Sequence, residues 1–130
     1  MKIAKIEVAT EDSRGSIRDI LYAEEVNHVA IIQSNAGSLR GNHYHKQTTQ
    51  FIYMNAGHLR YWYSSLNDEE INSVIVPQGC LVETPPFEVH ALECQVDSIF
   101  TVFSRGLRGG KDYESDTFRE RVILTKEMFE

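Results

Sequence analysis

The feature that most constrains the fold is a series of short apolar runs, each ended by turn residues, without any long helical periodicity. Pro77-Gln78-Gly79 ends one run and Pro85-Pro86 ends another, because proline cannot donate to a strand ladder. Repeated short strands at this spacing are typical of all-β sandwiches and barrels. We therefore expect an all-β chain.

The predicted strands share alternating or β-branched and aromatic side chains. They are residues 3–9, 17–22, 26–34, 49–55, 58–63, 71–76, 81–84, 89–95, 98–104 and 118–124. Residues 17–22 also fit a helical turn, and residues 125–130 predict a short helical turn or tail. The short break at Ala56-Gly57 predicts that the two strands beside it form a hairpin about Gly57.

Length and charge exclude several classes of protein. A chain of 130 residues fits one domain, residues 1–130. The net charge of −6 argues against nucleic acid or an anionic membrane as the main partner. No apolar run approaches the ~18–20 residues of a membrane span, and the first residues do not resemble a signal peptide, so we expect a cytoplasmic protein. Cys80 and Cys94 are expected to be buried free thiols.

Two histidines form the most informative local pattern. His43 and His45 share one face of an extended chain, with Tyr44 on the other face. Two imidazoles aimed into one cavity serve either as metal ligands or as a pair of acid/base groups. Gln50 follows a short polar turn and is expected to return to the same cavity, and His90 follows the Pro85-Pro86 turn.

These residues resemble the two cupin motifs. The spacing from His43 and His45 to Gln50 and on to Gly57 is similar to the first motif, and residues 85–90 are similar to the second at their first and last positions. The resemblance implies a single-domain cupin, a double-stranded β-helix of jelly-roll type. It also implies one divalent metal ion, such as Mn, Fe, Ni or Zn, bound by His43, His45, Gln50 and His90, with no organic cofactor.

The chain departs from the cupin pattern at three positions. Gln50 stands where an acid is usual, Phe87 where the second motif has glycine, and Cys94 where an asparagine is usual. An amide does not compensate the charge of a dication, so we expect weaker metal binding than in cupins that carry the acid.

A narrower resemblance points to nucleotide-linked sugars. The segment Arg40-Gly41-Asn42-His43-Tyr44-His45-Lys46, with Gln50 after it, is similar to the dTDP-4-keto-6-deoxyhexose 3,4-ketoisomerases and to cupin domains of surface-polysaccharide synthesis. Residues 98–119 weakly resemble the tail of the same group. The resemblance implies that His43 and His45 act as base and proton shuttle in a keto-sugar isomerase or epimerase.

Other functions and roles stay open at this stage. The chain is also consistent with a metal-dependent cupin of unknown reaction, or with a ligand-binding cupin that does not turn over its ligand. Arg40, Tyr53 and Arg60 are candidate substrate-binding residues, because guanidinium groups match phosphates and aromatic rings stack on sugars or bases. Core packing and an interface are the alternative roles for the aromatic residues. Apolar strands with open edges predict a homodimer.

Overall fold

The computed structural model describes residues 1–106 and 114–119, and these residues form eleven β-strands. The strands are β1 (Lys2–Lys5), β2 (Thr10–Asp12), β3 (Gly15–Ile17), β4 (His28–Ser34), β5 (Ser38–His43), β6 (Thr49–Ala56), β7 (His58–Ser65), β8 (Asn72–Pro77), β9 (Cys80–Thr84), β10 (Glu88–Cys94) and β11 (Ser98–Arg105). The all-β prediction is confirmed. The prediction of one domain over residues 1–130 stays a prediction.

Two antiparallel sheets form the body of the protein. The first has the strand order β1-β9-β6-β11-β4, and the second has the order β5-β10-β7-β8. The short strands β2 and β3 pair only with each other. Strands that follow one another in sequence therefore lie mostly in different sheets, as in a jelly roll.

Gly57 is a corner between the sheets and not the turn of a hairpin. Strand β6 pairs with β9 and β11, whereas β7 pairs with β8 and β10, so the predicted hairpin is wrong. Gly57 has φ +80°, and a Cβ there would lie 2.5 Å from Ser98 Oγ and 2.7 Å from the Asp97 carbonyl oxygen. The chain crosses from one sheet to the other at a point where only glycine fits.

The alternation of the strands places the core between the sheets. Inward side chains of the first sheet, such as Ile52, Val82 and Phe100, pack with Leu59 and Tyr61 of the second. In β11 every second residue is buried, as a strand with one buried face requires. Cys80 and Cys94 lie in this core as free thiols, as expected from the sequence.

The two ends of the chain differ most from the predicted strands. Strand β1 covers only part of residues 3–9, and residues 17–22 contribute only Ile17 to a strand. None of residues 17–22 is buried, and the side chains of Ile17 and Tyr22 are 60% and 89% exposed. Of the predicted strand 118–124, only residues 118 and 119 are described, and residues 125–130 lie outside the described residues.

No helix within residues 1–106 and 114–119 is long and apolar enough to cross a membrane.

Two glycines with similar backbone angles test the corner. Gly37 has φ +86° with open space around it, whereas the space at Gly57 is filled. Gly37→Ala should lower the free energy of unfolding by about 1 kcal/mol through the left-handed conformation alone. Gly57→Ala should lower it by about 2 kcal/mol more, because the new methyl also overpacks the corner. Equal losses in urea unfolding would contradict this account.

Candidate functional site

A β-bulge turns the first histidine into the space between the sheets. His43 pairs with His90, but the next residue of β10, Ala91, pairs with Gly41, so Asn42 is an extra residue in β5. Gly41 and Asn42 have φ angles of +81° and +68°. Glycine is favoured at position 41, because φ is +81° and a Cβ would lie only 3.1 Å from the His90 carbonyl oxygen.

The extra residue also brings a cation to the same face. Arg40 pairs with Leu92, whose side chain points inward. Without the bulge, Arg40 and His43 would lie on opposite faces, because they are three residues apart. With it, both side chains line one cavity.

Three buried histidines meet at this point. The ring centroids of His43 and His45 are 4.8 Å apart, and His90 lies 4.9 Å from His43 and 5.5 Å from His45. Ring nitrogens of the three histidines lie within 4.8 Å of one another. Tyr44 points away and packs against Phe118 and Val89. The face predicted from the sequence is therefore the face that the structure shows.

Two of the histidine rings are oriented by backbone carbonyl groups. The Nδ1 atom of His45 lies 2.7 Å from the carbonyl oxygen of Asp116, and Nδ1 of His90 lies 3.1 Å from that of Glu88. A carbonyl oxygen only accepts, so each Nδ1 carries the proton. In the neutral rings the lone pair is then on Nε2.

His90 stays neutral near neutral pH. Complete burial lowers its pKa from 6.5 to about 4, and the hydrogen bond to the Glu88 carbonyl only partly opposes this shift. The ring is parallel to that of Tyr61, with centroids 6.3 Å apart. Burial and the nearby Glu88 carboxylate raise the pKa of Tyr61 well above 10, so its hydroxyl stays protonated and donates to Glu88.

The cavity that His43 and His90 border is lined by two arginines and, among the described residues, by no acidic side chain. Its volume is about 290 Å³, at the small end for a ligand site, which suits a sugar-sized group. It is lined by Ile32, Leu39, Arg40, Gly41, His43, Gln50, Ile52, His90, Leu92, Val102 and Arg119. His45 is not part of the lining. It lies next to His43, with the two ring centroids 4.8 Å apart.

The two arginines of the lining are held in place. The side chain of Arg40 donates to Ser34 Oγ and to the Gln33 carbonyl oxygen. Arg119 donates through both Nη atoms to the Glu114 carboxylate, at 3.2 and 3.3 Å. A chain of net charge −6 thus presents two guanidinium groups at one cavity.

The structure does not bring every predicted binding residue to this cavity. Gln50 lines it, as expected, but Tyr53 and Arg60 do not. Tyr53 is three residues from Gln50 on β6 and therefore faces outward. Arg60 also points outward, where it donates to Ser73 Oγ and lies over the Trp62 ring. For both residues, the alternation of side chains along the strand determines which face of the sheet they occupy.

Asp116 and Arg119 are the site residues that the sequence did not identify. They lie about seventy residues beyond the histidine pair, in the segment whose resemblance to the ketoisomerase tail was the only available signal. Burial raises the pKa of Asp116, but hydrogen bonds from Thr48 and from the amides of Lys46 and Gln47 outweigh it and lower the pKa. Asp116 is therefore a buried carboxylate beside the site.

Phe87 is one of the departures from the cupin pattern, and its backbone conformation resembles that of the usual glycine. It has φ +68°, a left-handed conformation that glycine adopts freely and phenylalanine does not. Its amide donates to the His45 carbonyl oxygen at 2.7 Å. The turn before β10 thus keeps the backbone that the usual glycine permits, and it holds the backbone of His45.

The pKa of His90 predicts how stability depends on pH in metal-free protein. The unfolded chain binds this proton at higher pH than the folded chain, so the free energy of unfolding falls as the pH drops from 6.5 towards about 4. His90→Gln should remove roughly 2–3 kcal/mol of this fall. Urea unfolding with chelator across this range measures it, with His58→Gln as the matched control. Parallel curves for wild type and His90→Gln would contradict the shift.

Comparison with solved structures shows that the chain shares its fold with known nucleotide-sugar enzymes. The 3,4-ketoisomerase QdtA from Thermoanaerobacterium thermosaccharolyticum in complex with TDP has a TM-score of 0.74 at 14% identity, covering 98% of this chain and 90% of that chain. The dTDP-4-dehydrorhamnose 3,5-epimerase from Sulfolobus tokodaii has a TM-score of 0.72 at 18% identity, with coverage of 88% and 73%.

A third structure is a larger protein. The capsular polysaccharide assembling protein CapF from Staphylococcus aureus has a TM-score of 0.66 at 21% identity, covering 90% of this chain but 34% of CapF. At these identities the comparisons show the fold, and the predicted cupin fold is confirmed. No curated protein sequence matches the chain significantly.

A family model supplies the remaining comparison. It is described as the polysaccharide biosynthesis C-terminal domain and matches residues 10–106, which include β2 to β11 and all three histidines. The match spans well over half of the chain, so this protein belongs to the polysaccharide biosynthesis C-terminal domain family.

Proposed function

We propose that the protein binds a nucleotide-linked keto-sugar and transfers a proton at a carbon next to the ketone, as an isomerase or epimerase of polysaccharide synthesis. The observation that carries the proposal is a small cavity whose lining combines His43 with Arg40 and Arg119. Family membership supports the proposal. The similar fold of QdtA also supports it, because QdtA forms complexes with TDP and with TDP-4-keto-6-deoxyglucose.

The arginines favour an anionic ligand. Guanidinium groups bind phosphate oxygens bidentately. Among the described residues the cavity lining contains no acidic side chain, although Arg119 is paired with Glu114 beside the cavity. The cavity volume of about 290 Å³ suits a sugar-sized group. The diphosphate would then lie at the arginines, with the nucleoside outside.

The histidine pair suits the proton transfer. In the first step the lone pair of an imidazole takes the proton from the carbon beside the ketone, and an enediolate forms. In the second step of an isomerase, the hydroxyl proton of the enediolate passes to the former ketone oxygen and the carbon-bound proton returns at the former ketone carbon. In an epimerase, the proton returns to the opposite face of the same carbon. His43 faces the cavity and is the group in reach of the substrate, and His45 is close enough to relay the proton.

Gln50 is the best-placed neutral donor for the enediolate. Its amide group lines the same cavity, and an NH₂ group directed at the developing charge stabilises it. Neutral His90 with its proton on Nδ1 presents a lone pair to the cavity, so it cannot serve as that donor.

Solvent deuterium tests the proton transfer. Wild type incubated with TDP-4-keto-6-deoxyglucose in D₂O should incorporate deuterium beside the ketone, measured by NMR against a protein-free sample. His43→Asn and His45→Asn should each slow incorporation by at least roughly 100-fold, the usual contribution of an acid/base group. His58→Asn, outside the cavity, should not. Ligand binding without incorporation would favour the non-catalytic ligand-binding cupin.

Binding of TDP tests the arginines separately from the chemistry. Arg40→Gln and Arg119→Gln should each raise the Kd for TDP by about tenfold, since each removes a charge-assisted hydrogen bond. Calorimetric titration measures the Kd, and Arg60→Gln is the matched control on the outer face. Equal affinities in all four proteins would contradict a phosphate site at the cavity.

A metal centre at the same histidines is the second candidate function. The donor set fits: the ring nitrogens lie within 4.8 Å of one another, and two rings donate Nδ1–H to carbonyl groups, which leaves Nε2 for an ion. His43, His45 and His90 would hold the ion, with the Gln50 oxygen as a fourth ligand. A bound divalent ion supplies a positive charge that stabilises an enediolate. The two arginines and the missing carboxylate weaken its binding.

Metal content separates this candidate from metal-free proton transfer. Protein purified without chelator or polyhistidine tag should carry about one equivalent of Mn, Fe, Ni or Zn if the triad is a metal site, and His90→Ala should lose it. His58→Ala should keep it. Protein that carries no ion after incubation with each of the four would contradict the metal centre and leave His43 and His45 as free bases.

We also propose that the protein is a homodimer. The outer face of the first sheet exposes Val29, Ile31 and Ile99, on the neighbouring strands β4 and β11. Pairing of two copies would cover this apolar face. Light scattering after gel filtration measures the mass in solution.

A further inference from the structure

A segment distant in sequence packs onto the histidine strand. Tyr44 and Phe118 exchange two backbone hydrogen bonds, each of 3.0 Å, and form an isolated antiparallel bridge. Their rings stack with centroids 5.4 Å apart, and Lys46 Nζ lies 4.2 Å from the Phe118 centroid. Residues 114–119, which we term the docking segment, are therefore fixed against the residues around His45.

The carboxylate of Asp116 binds the turn that follows His45. One oxygen accepts the Lys46 amide at 3.0 Å, both oxygens accept the Gln47 amide at 3.1 and 3.2 Å, and Oδ2 accepts the Thr48 hydroxyl at 2.7 Å. Asp116 is 1% exposed. Three consecutive residues after His45 thus depend on one buried carboxylate.

The backbone of the same residue binds the imidazole. The Asp116 carbonyl oxygen accepts Nδ1–H of His45 at 2.7 Å. The side chain of Asp116 therefore anchors its own carbonyl group in the place where that group meets the ring. Because the carbonyl only accepts, it selects the tautomer with the proton on Nδ1 and the lone pair on Nε2.

We propose that Asp116 is a positioning residue: its carboxylate locks the docking segment onto the turn after His45, and its carbonyl group thereby fixes the tautomer and orientation of His45. The role of His45 rests on the proposed function, but the tautomer does not. Arg119, which lines the cavity, lies in the same docking segment, so the lock also assembles that side of the cavity.

The tautomer is measured directly by NMR. In ¹⁵N-labelled, chelator-treated protein, long-range ¹H–¹⁵N correlations distinguish a protonated ring nitrogen from one with a lone pair. Wild-type His45 should show a proton on Nδ1 only, with its signals assigned by their loss in His45→Asn. His90 is an internal reference, because the Glu88 carbonyl holds its ring independently of Asp116.

Asp116→Ala should change His45 and not His90. The unanchored His45 ring should show a mixture of tautomers, and Asp116→Asn, whose oxygen still accepts backbone amides, should show a smaller change. Asp97→Ala is the matched control, since Asp97 also accepts a backbone amide, that of Ala36 at 2.8 Å, but outside the cavity. A folded Asp116→Ala protein whose His45 keeps its proton on Nδ1 only would overturn the proposal.

A second variant covers the case in which Asp116→Ala does not fold. Thr48→Val removes only one donor to the carboxylate and should still give a detectable fraction of the second His45 tautomer. An unchanged His45 in both Thr48→Val and Asp116→Asn would overturn the proposal without the alanine variant.

Measurements of activity distinguish failure of this proposal from failure of the proposed function. If wild type incorporates deuterium, Asp116→Ala should lower kcat by roughly 10-fold or more, the effect typical of a lost orienting partner, and Asp116→Asn should restore most of it. If wild type shows no incorporation, the proposed function fails, whereas the tautomer measurement still decides the role of Asp116.

Discussion

The cavity depends on one irregularity in the pairing of β5 with β10. Regular alternation would place Arg40 and His43 on opposite faces of the second sheet. The extra residue at Asn42, permitted by Gly41 next to the His90 backbone, puts both on the inner face. The position of His45, two residues further on, follows from the same shift. A cationic group and an imidazole pair therefore face one space because the ladder is interrupted once.

The distribution of charge around the histidines limits what the site can bind. Three carboxylates of the described residues lie close to the site but do not line the cavity: Asp116 and Glu88 are engaged by neighbouring donors, and Glu114 pairs with Arg119. The cavity itself presents two arginines, the imidazoles of His43 and His90, and the amide of Gln50. An anion gains from both arginines, whereas a metal ion must overcome them. The three imidazoles suit a metal ion and the arginines suit a phosphate. The two proposed uses of the site therefore compete electrostatically, unless the metal ion and the phosphate bind together and neutralise each other's charge.

Local patterns predicted the strands and the histidine face well, because alternation and turn residues report directly on the backbone. Local patterns failed where the structure depends on contacts with a distant part of the chain. The break at Gly57 looks the same in a hairpin and in a corner between sheets, and only the packing of Ser98 against it decides. The outward positions of Tyr53 and Arg60 follow from strand parity. Asp116 acts through contacts with residues about seventy positions earlier, for which the sequence carries no local signal.

The order of strands in the two sheets also bears on how the chain reaches its fold. Because consecutive strands mostly lie in different sheets, many ladders join distant parts of the chain: β1 pairs with β9, and β4 pairs with β11. Each such pairing closes a long loop before its side chains gain any burial. A topology of this kind folds slowly for its size, and newly made chains expose unpaired edges while the last strands are still absent. The strand order that encloses the core thus also sets a kinetic demand on synthesis.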